Sequence, residues 1–270
     1  MRSFKTVILS LLAVILTGCG TTSTVPVTGR KQTLLVTDGE VLSLSTQQYQ
    51  EFMKTAKTST NAKNTAMVKR VGQNLASAVT TYLKNNGLSD DLQYFAWEFN
   101  LVQDNSVNAW CMPGGKIVVY EGILPVTQDE ASLAIVLGHE IAHAVARHSA
   151  EQLSTQMRQQ NILQIGTAVA GAVGVSETTT AIAQTVASLN FNFGNLKYSR
   201  NHESEADYMG LIFAAMAGYD PQVAITFWQR MAAASTSSTA EFLSDHPSDA
   251  TRIKNIQGWM PEALKYYKKK

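Results

Sequence analysis

One five-residue stretch of the chain combines the residue types and the spacing that a catalytic metal centre needs. It reads His139-Glu140-Ile141-Ala142-His143, so that two histidines stand four positions apart with a glutamate beside the first. On a helix this spacing places both imidazoles on one face, as a tetrahedral zinc ion requires. Glu140 would then lie close enough to take a proton from a metal-bound water without binding the metal. A coincidental pair of surface histidines is the alternative interpretation.

A zinc site in a hydrolase needs a third protein ligand and an open position. One family of zinc endopeptidases supplies a third histidine ten residues after the first, preceded by a glycine, but Ser149 and Ala146 occupy those positions here. His148 is one residue off, which favours a surface position or a contact with a ligand rather than a role as a ligand. The remaining candidates lie within residues 199–207.

Two carboxylates in that segment share one helix face. Glu203 and Asp207 are four positions apart. A carboxylate ligand from Glu203, with Asp207 accepting a hydrogen bond from the N–H of a ligating histidine, would complete the site. Glu205 would point away from the metal, and His202 is offset by one residue.

Two helices must bring these stretches together. Pro125, Thr127 as N-cap and Glu130 at the capping-box position predict the start of a helix that runs through the motif, and its periodic apolar residues are Leu133, Val136, Leu137, Ile141 and Val145. A second helix is predicted from residue 199 to about 217, ended by Gly218. Small residues that would let the two axes approach closely are Ala134, Gly138, Ala142 and Ala146 on the first helix and Gly210 and Ala214 on the second. Ordinary alanine-rich packing would give the same pattern.

The rest of the chain predicts a mainly helical α+β domain with a small sheet. Helices are expected near 38–57 and 60–86, and a strand over 92–102, where aromatic residues alternate. A second strand, after the turn at 113–115, is expected to be a sheet edge that lines the active-site cleft and pairs with an extended peptide. Its residues are Lys116, Ile117, Val118, Val119 and Tyr120.

The first residues have the features of a bacterial lipoprotein signal. A basic start and an apolar run over 7–16 lead into Leu16-Thr17-Gly18-Cys19, which resembles the lipobox. We therefore expect a signal peptide over 1–18, lipid attachment at Cys19, a flexible tether over 19–37 and a single domain over 38–270. An incidental cysteine after an ordinary signal sequence is the alternative. Gly20, in place of an aspartate, favours the outer membrane.

Composition excludes several other classes of protein. The 270 residues are 45% hydrophobic and 16% charged, with a net charge of +1, which is typical of a globular chain and argues against a nucleic-acid binder. With Cys19 acylated, Cys111 has no partner for a disulfide and is expected to be a small buried hydrophobic residue. The apolar stretches within 161–190 are expected to form either packed helices or a lid over the cleft.

The combination of motifs resembles a known family. His139-Glu140-x-x-His143 and Glu203-x-x-x-Asp207, with Asn108-Ala109 and Pro113-Gly114-Gly115 upstream, are similar to the zinc metallopeptidase family of HtpX and the CAAX prenyl protease, and in type to periplasmic lipoprotein peptidases such as LoiP. The resemblance covers roughly residues 40–260. It implies a gluzincin-type zincin domain with one Zn²⁺ per chain, ligands His139, His143 and Glu203, and Glu140 as general base.

A further histidine near the C-terminus has two interpretations. Pro247 suits a first helical position, so that His246 would lie at a helix N-terminus, where the dipole favours a neutral imidazole. That ring would either bind zinc or a tetrahedral oxyanion, or simply cap the helix. Members of the family carry a similar His-Pro segment and an arginine that matches Arg252. If His246 bound zinc in the resting protein, it would act as a latch.

These patterns predict a lipid-anchored zinc endopeptidase of the bacterial cell envelope, facing the periplasm, which acts in protein quality control on unfolded or misassembled proteins. The alternative is a chaperone-like peptide-binding or assembly factor whose zinc site is latched or largely inactive. Glu140 favours catalysis, because a binder has no use for a base beside an open metal site. Five histidines are too few for a metal-storage protein.

Overall fold

Helices dominate the described part of the chain. In this computed structural model the described residues are 20–168, 186–194, 196–234 and 250–268. Their strands and helices are β1 Thr21–Thr24, β2 Lys31–Leu34, α1 Asp38–Thr55, α2 Ala62–Asn85, β3 Glu98–Val102, β4 Ala109–Met112, β5 Lys116–Tyr120, α3 Leu124–Thr127, α4 Glu130–Val145, α5 His148–Ala168, α6 Arg200–Met216, α7 Val223–Ala234 and α8 Ala250–Tyr266. The predicted mainly helical α+β architecture is confirmed.

The N-terminal segment is a docked hairpin. Strands β1 and β2 pair antiparallel, and the turn between them places Val27 and Gly29 at positive φ. Val25 is 1% exposed and Leu34 is 6% exposed, so that both side chains join the apolar core. The prediction of a flexible tether is therefore wrong over the described residues 20–37. Threonine, proline and glycine also suit a hairpin turn, and burial of Val25 and Leu34 holds this one in place.

The first two helices agree with the prediction. Thr37 caps α1 in a complete capping box with Glu40. Asn61 caps α2, whose buried face includes Val68, Val71, Leu75 and Val79. The helix ends at Asn85, and Gly87 follows at φ +73°.

The three-stranded sheet corrects two predictions. Its strand order is β3-β5-β4, with β3 parallel and β4 antiparallel to β5. Lys116–Tyr120 is thus the central strand, and the expectation of a cleft-lining edge there is wrong because Ala109–Met112 forms an unpredicted strand outside it. The strand predicted from residue 92 begins at Glu98. Phe95 and Trp97 precede the strand. Their rings stack on each other at 4.8 Å, with Trp97 packed against Gly115, and this packing accounts for the aromatic residues that resembled a strand pattern.

The sheet is buried on both faces. One face of its strands packs in the main core with the helices α2, α4, α6, α7 and α8, and contributes Phe99, Leu101, Ala109, Cys111, Ile117 and Val119. The other face, with Val102, Trp110, Met112 and Val118, packs against residues from β2, α1, α5 and 186–193. Alternation at a period of two therefore divides each strand between two apolar clusters.

The motif helix begins later than expected. Its N-cap is Asp129, whose carboxylate accepts a hydrogen bond from the Ser132 N–H at 2.7 Å. Thr127 instead ends the short helix α3, and Gln128 at φ +67° separates the two helices. The prediction of Thr127 as N-cap is wrong because its hydroxyl donates back to the Leu124 carbonyl at 3.1 Å. The predicted helix through the motif is confirmed.

Helices α4 and α6 touch through their backbones. A Cβ on Gly138 would lie 2.7 Å from the Gly210 carbonyl oxygen, and one on Gly210 would lie 2.6 Å from the His139 nitrogen. The predicted second helix is confirmed, with Ser199 as N-cap. The two helix axes therefore approach each other as closely as the small residues predicted, and this approach requires glycine at both positions.

Several predictions fall outside the described residues. These are the signal peptide with Cys19, the segment 169–185 of the expected lid or helix pair, and His246. In the ranges that the structure describes, none of the helices combines the length and the apolar character of a membrane span.

Candidate metal centre

Three buried side chains from α4 and α6 point their ligand atoms at one another. Nε2 of His139 lies 3.1 Å from Nε2 of His143 and 3.4 Å from Oε2 of Glu203. Oε1 of Glu203 lies 3.4 Å from Nε2 of His143. The histidines are each 1% exposed and the glutamate is 6% exposed. Zinc bonds of about 2.0–2.2 Å in a tetrahedron separate the ligand atoms by roughly 3.4 Å. Each histidine nitrogen lies at that distance from one of the two Glu203 oxygens, so this group of three side chains, called the triangle below, fits the ion. These residues form a His-His-Glu group able to hold a metal ion.

A carboxylate and an arginine orient His139. Its Nδ1 lies 2.9 Å from Oδ1 of Asp207, which also accepts a hydrogen bond from Nη2 of Arg252 at 2.6 Å. The guanidinium of Arg252 lies 3.6 Å from the centroid of the Trp228 ring, in a cation–π contact. Asp207 therefore holds a proton on Nδ1 and directs Nε2 towards the triangle as the nitrogen that can bind a metal ion.

Two rings orient His143 from its other sides. Its Nδ1 lies 2.9 Å from Nδ1 of His148, a fully buried side chain. The Tyr198 ring stacks on the His143 ring at 4.1 Å and 17°, and its hydroxyl lies 2.8 Å from the Ser149 Oγ. The sequence predicted His148 either at the surface or in contact with a ligand. The structure places it in contact with His143.

Burial and charge act in opposite directions on the two histidines of the triangle. Burial by itself lowers the pKa of His139, but hydrogen bonds and charge from Asp207 and Glu203 outweigh it and raise that pKa to about 9. Burial lowers the pKa of His143 well below its usual value, so this ring is neutral with a lone pair available. The carboxylates thus create a local potential that favours a cation at the triangle.

Glu140 is buried beside the triangle on the same helix, with 3% of its surface exposed. After burial, its charge is the next cause that raises the pKa of Cys111, well above the usual value for a thiol. The carboxylate therefore lies within electrostatic reach of strand β4. Cys111 stays protonated and buried, as the sequence predicted, and is a free cysteine.

Spacing along the sequence did not predict that His148, Glu205 and His202 lie together, because the chain turns sharply after the motif helix. Arg147 has φ +59°, which ends α4 and redirects the chain so that His148 begins α5 beneath His143. Glu205, expected to point away, is buried and lies 3.0 Å from Nε2 of His148. The His202 ring stacks on the His148 ring at 4.4 Å. A positive φ at Arg147 leaves no clear signal in sequence periodicity.

The expected substrate strand lies one position inside the edge. Ile117, Val118 and Val119 are fully buried, and Nζ of Lys116 donates to the Ala96 carbonyl at 2.8 Å. Tyr120, in contrast, lines a groove of about 530 Å³ beside β4. The groove is bounded by α1, β4 and residues 190–194, and its lining includes Gln48, Phe52, Asn108, Trp110, Met112, Phe191 and Asn192.

Comparison with known proteins agrees with this geometry. The model of peptidase family M48 matches residues 62–260 of the chain. The chain therefore belongs to peptidase family M48, a family of zinc metallopeptidases, as the motif combination predicted.

Individual relatives show how far the similarity extends. The chain is 40% identical over 181 residues to the mitochondrial metalloendopeptidase OMA1 of Schizosaccharomyces pombe, which covers 66% of this chain and 50% of that protein. It is 30% identical over 245 residues to the mitochondrial metalloendopeptidase OMA1 of Homo sapiens, covering 89% and 46% of the two chains. It is 29% identical over 173 residues to the beta-barrel assembly-enhancing protease of Yersinia pestis, covering 60% and 34%. The chain thus spans about half or less of the length of these relatives.

Proposed function

We propose that this chain is a zinc-dependent endopeptidase that binds one zinc ion through His139, His143 and Glu203. The observation that carries the proposal is the buried triangle, in which the two Nε2 atoms lie 3.1 Å apart and each lies 3.4 Å from one carboxylate oxygen of Glu203. Names of the relatives, two metalloendopeptidases and a protease, support cleavage of protein chains.

The residues around the triangle divide the chemistry between them. A zinc ion at this site would lower the pKa of a water molecule to about 7 and polarise the scissile carbonyl. Glu140 accepts the proton from the attacking water and delivers it to the nitrogen of the leaving amine. Asp207 and Arg252 hold the His139 ring in the tautomer that ligation needs.

Strand β4 takes over the role that the sequence assigned to β5. The Asn108 carbonyl accepts a hydrogen bond from the Tyr120 N–H at 3.0 Å. Because backbone groups alternate along an antiparallel ladder, those of Ala109 and Cys111 face the opposite, outer side of the strand. The Ala109 N–H donates there to Oδ1 of Asn108 at 2.8 Å, so pairing would use the Ala109 carbonyl and the Cys111 backbone groups. An extended substrate would pair there by adding a strand, and its side chains would reach the groove beside Trp110. Main-chain recognition of this kind gives modest sequence specificity.

For the cellular setting we propose a lipid anchor at Cys19 and a position in the bacterial cell envelope, facing the periplasm, with the outer membrane favoured. The lipobox-like start supports this location. The name of the Yersinia pestis relative, a beta-barrel assembly-enhancing protease, supports a role on unfolded or misassembled envelope proteins. His246 stays a proposed oxyanion or latch residue, since it lies outside the described residues.

A comparison of Glu140→Gln with the wild type tests the activity. We expect both proteins to bind zinc at about one ion per chain, and the variant to cleave casein at least 100-fold more slowly because the proton acceptor is gone. Glu130→Gln is the matched control, since Glu130 lies on the same helix in an exposed ion pair with Arg70. Undiminished cleavage by Glu140→Gln would refute the assignment, and peptide binding without cleavage by the wild type would favour the assembly factor.

A further inference from the structure

A chain of buried polar contacts joins the N-terminal hairpin to the metal ligand His143. We call it the hairpin relay and define it as Arg30, Glu205, His148 and His143. Nε of Arg30 donates to Oε2 of Glu205 at 2.8 Å, and that oxygen also lies 3.0 Å from Nε2 of His148. Nδ1 of His148 lies 2.9 Å from Nδ1 of His143. His148 is fully buried, and Glu205 is 9% exposed.

The contacts assign a proton to each nitrogen of the relay. Glu205 is an acceptor, since it receives hydrogen bonds from Arg30 and from the Thr28 hydroxyl. Nε2 of His148 must therefore be the N–H that faces this carboxylate, and a neutral His148 then presents a lone pair at Nδ1. Nδ1 of His143 consequently carries a proton, so its Nε2 lone pair is the one directed at His139 and Glu203.

Hydrogen bonds from Arg30 and Gln32 hold the N-terminal hairpin against the helices. Nη1 and Nη2 of Arg30 donate to the two carboxylate oxygens of Glu151 at 2.9 and 2.7 Å, so the guanidinium bridges α5 and α6. The Gln32 side chain donates to the Ala146 carbonyl at 3.0 Å, at the end of the motif helix. The His202 ring covers the His148 ring at 4.4 Å and also contacts Glu151 at 3.1 Å. Each side chain of the relay is thus held from more than one element.

We infer that the hairpin relay is a positioning device, in which the N-terminal hairpin fixes the tautomer and the orientation of His143 and thereby strengthens metal binding. The inference rests on the proposed zinc site. Partners of ligating histidines typically influence metal affinity by 10- to 100-fold. His148 supplies that partner for His143, as Asp207 does for His139.

Zinc affinity of the full-length chain, measured by competition with a chromophoric chelator, tests this inference. We expect roughly 10- to 100-fold weaker binding for His148→Leu, which removes the acceptor for His143. His148→Asn keeps an acceptor oxygen near the Nδ1 position and should recover part of that loss. Arg30→Gln acts through two further residues and should weaken binding by about 3- to 10-fold. Arg70→Gln, which breaks an exposed ion pair away from the site, should stay within about twofold.

Folding and the tautomer are checked separately. Circular dichroism of the metal-free variants establishes that each is folded. If His148→Leu does not fold, the affinity of Arg30→Gln and the NMR measurement below carry the test. In ¹⁵N NMR spectra of the zinc-loaded wild type, Nδ1 of His143 should be protonated and hydrogen-bonded to a ring nitrogen. Wild-type affinity in folded His148→Leu and in Arg30→Gln, or an unprotonated Nδ1, would overturn the inference alone. Failure of the wild type to bind zinc would overturn the proposed function itself.

Discussion

At the scale of single residues, the two ligand nitrogens explain why this site suits a cation. Asp207 leaves a lone pair on Nε2 of His139, and His148 leaves one on Nε2 of His143. These nitrogens face each other at 3.1 Å, so a proton between them in the metal-free protein, or a metal ion when one is bound, must separate the two lone pairs. The carboxylate of Glu203 adds a negative charge to the same point.

Removing the charge of Asp207 should therefore weaken metal binding without emptying the site. We expect Asp207→Asn to bind zinc about 10- to 100-fold more weakly, because the amide no longer balances Arg252 and holds His139 less firmly. Chelator competition measures the change. Asp220→Asn, in the loop after α6, is the matched control, since Asp220 accepts from the Gln222 N–H there. Equal affinities of the two variants would contradict the role of Asp207.

At the scale of elements, the approach of α4 to α6 sets the distance between the two halves of the site. Any side chain at Gly138 or Gly210 would press into the backbone of the opposite helix. Because His139 is adjacent to Gly138, a shift there moves a ligand away from Glu203.

Gly138→Ala should accordingly lower both stability and zinc affinity. We expect the free energy of unfolding to fall by about 1–3 kcal/mol, measured by urea denaturation. Gly258→Ala provides the control, because the Cβ at that exposed position of α8 would meet no atom within 4 Å. That variant should be up to about 1 kcal/mol more stable than the wild type, since alanine favours a helix over glycine. A tolerated Gly138→Ala with unchanged zinc binding would show that the helices need not approach so closely.

The elements also show which features the sequence could predict. Helical periodicity was sufficient for the motif helix and for the shared face of Glu203 and Asp207, since both depend on local geometry. Strand order was not predictable, because β4 lies outside β5 only through pairing in three dimensions. The hairpin and His148 were missed for a related reason: burial of Val25 and a positive φ at Arg147 are set by tertiary contacts.

At the scale of the whole molecule, the hairpin connects the predicted lipid attachment point with the interior of the domain. Strand β1 begins two residues after Cys19, and Arg30 bridges Glu151 and Glu205. Burial by itself raises the pKa of each glutamate. Hydrogen bonds to Glu151 from His202 and Arg30, and to Glu205 from His148, Thr28 and Arg30, outweigh it and lower each pKa to about 2.

These lowered pKa values predict how stability depends on pH. A carboxyl group with a depressed folded-state pKa stabilises the protein above its usual pKa of 4.5, and this contribution is lost as the pH falls towards 2. Arg30→Gln should lose about 2 kcal/mol at pH 7. It should also lose less stability than the wild type between pH 4.5 and 2. Urea denaturation of the metal-free proteins across this range measures both effects. Parallel pH profiles of the two proteins would contradict the assignment.

We expect that a single substitution can remove lipid attachment without changing peptidase activity. Cys19→Ala should abolish incorporation of labelled fatty acid while zinc content and casein cleavage of the protein stay within about twofold of the wild type, because the cysteine supplies only the lipid attachment. Metabolic labelling of cells with the activity assay on both proteins measures this. Labelling of Cys19→Ala at the wild-type level would contradict lipid anchoring at this residue.

The central claim is that two distant parts of the chain bind one zinc ion together. Anomalous diffraction from crystals of the zinc-loaded protein, collected on both sides of the zinc absorption edge, tests it most directly. We predict one peak per chain, at about 2.0–2.2 Å from Nε2 of His139, Nε2 of His143 and a carboxylate oxygen of Glu203. A peak bound elsewhere, or one without Glu203 among its ligands, would contradict the account.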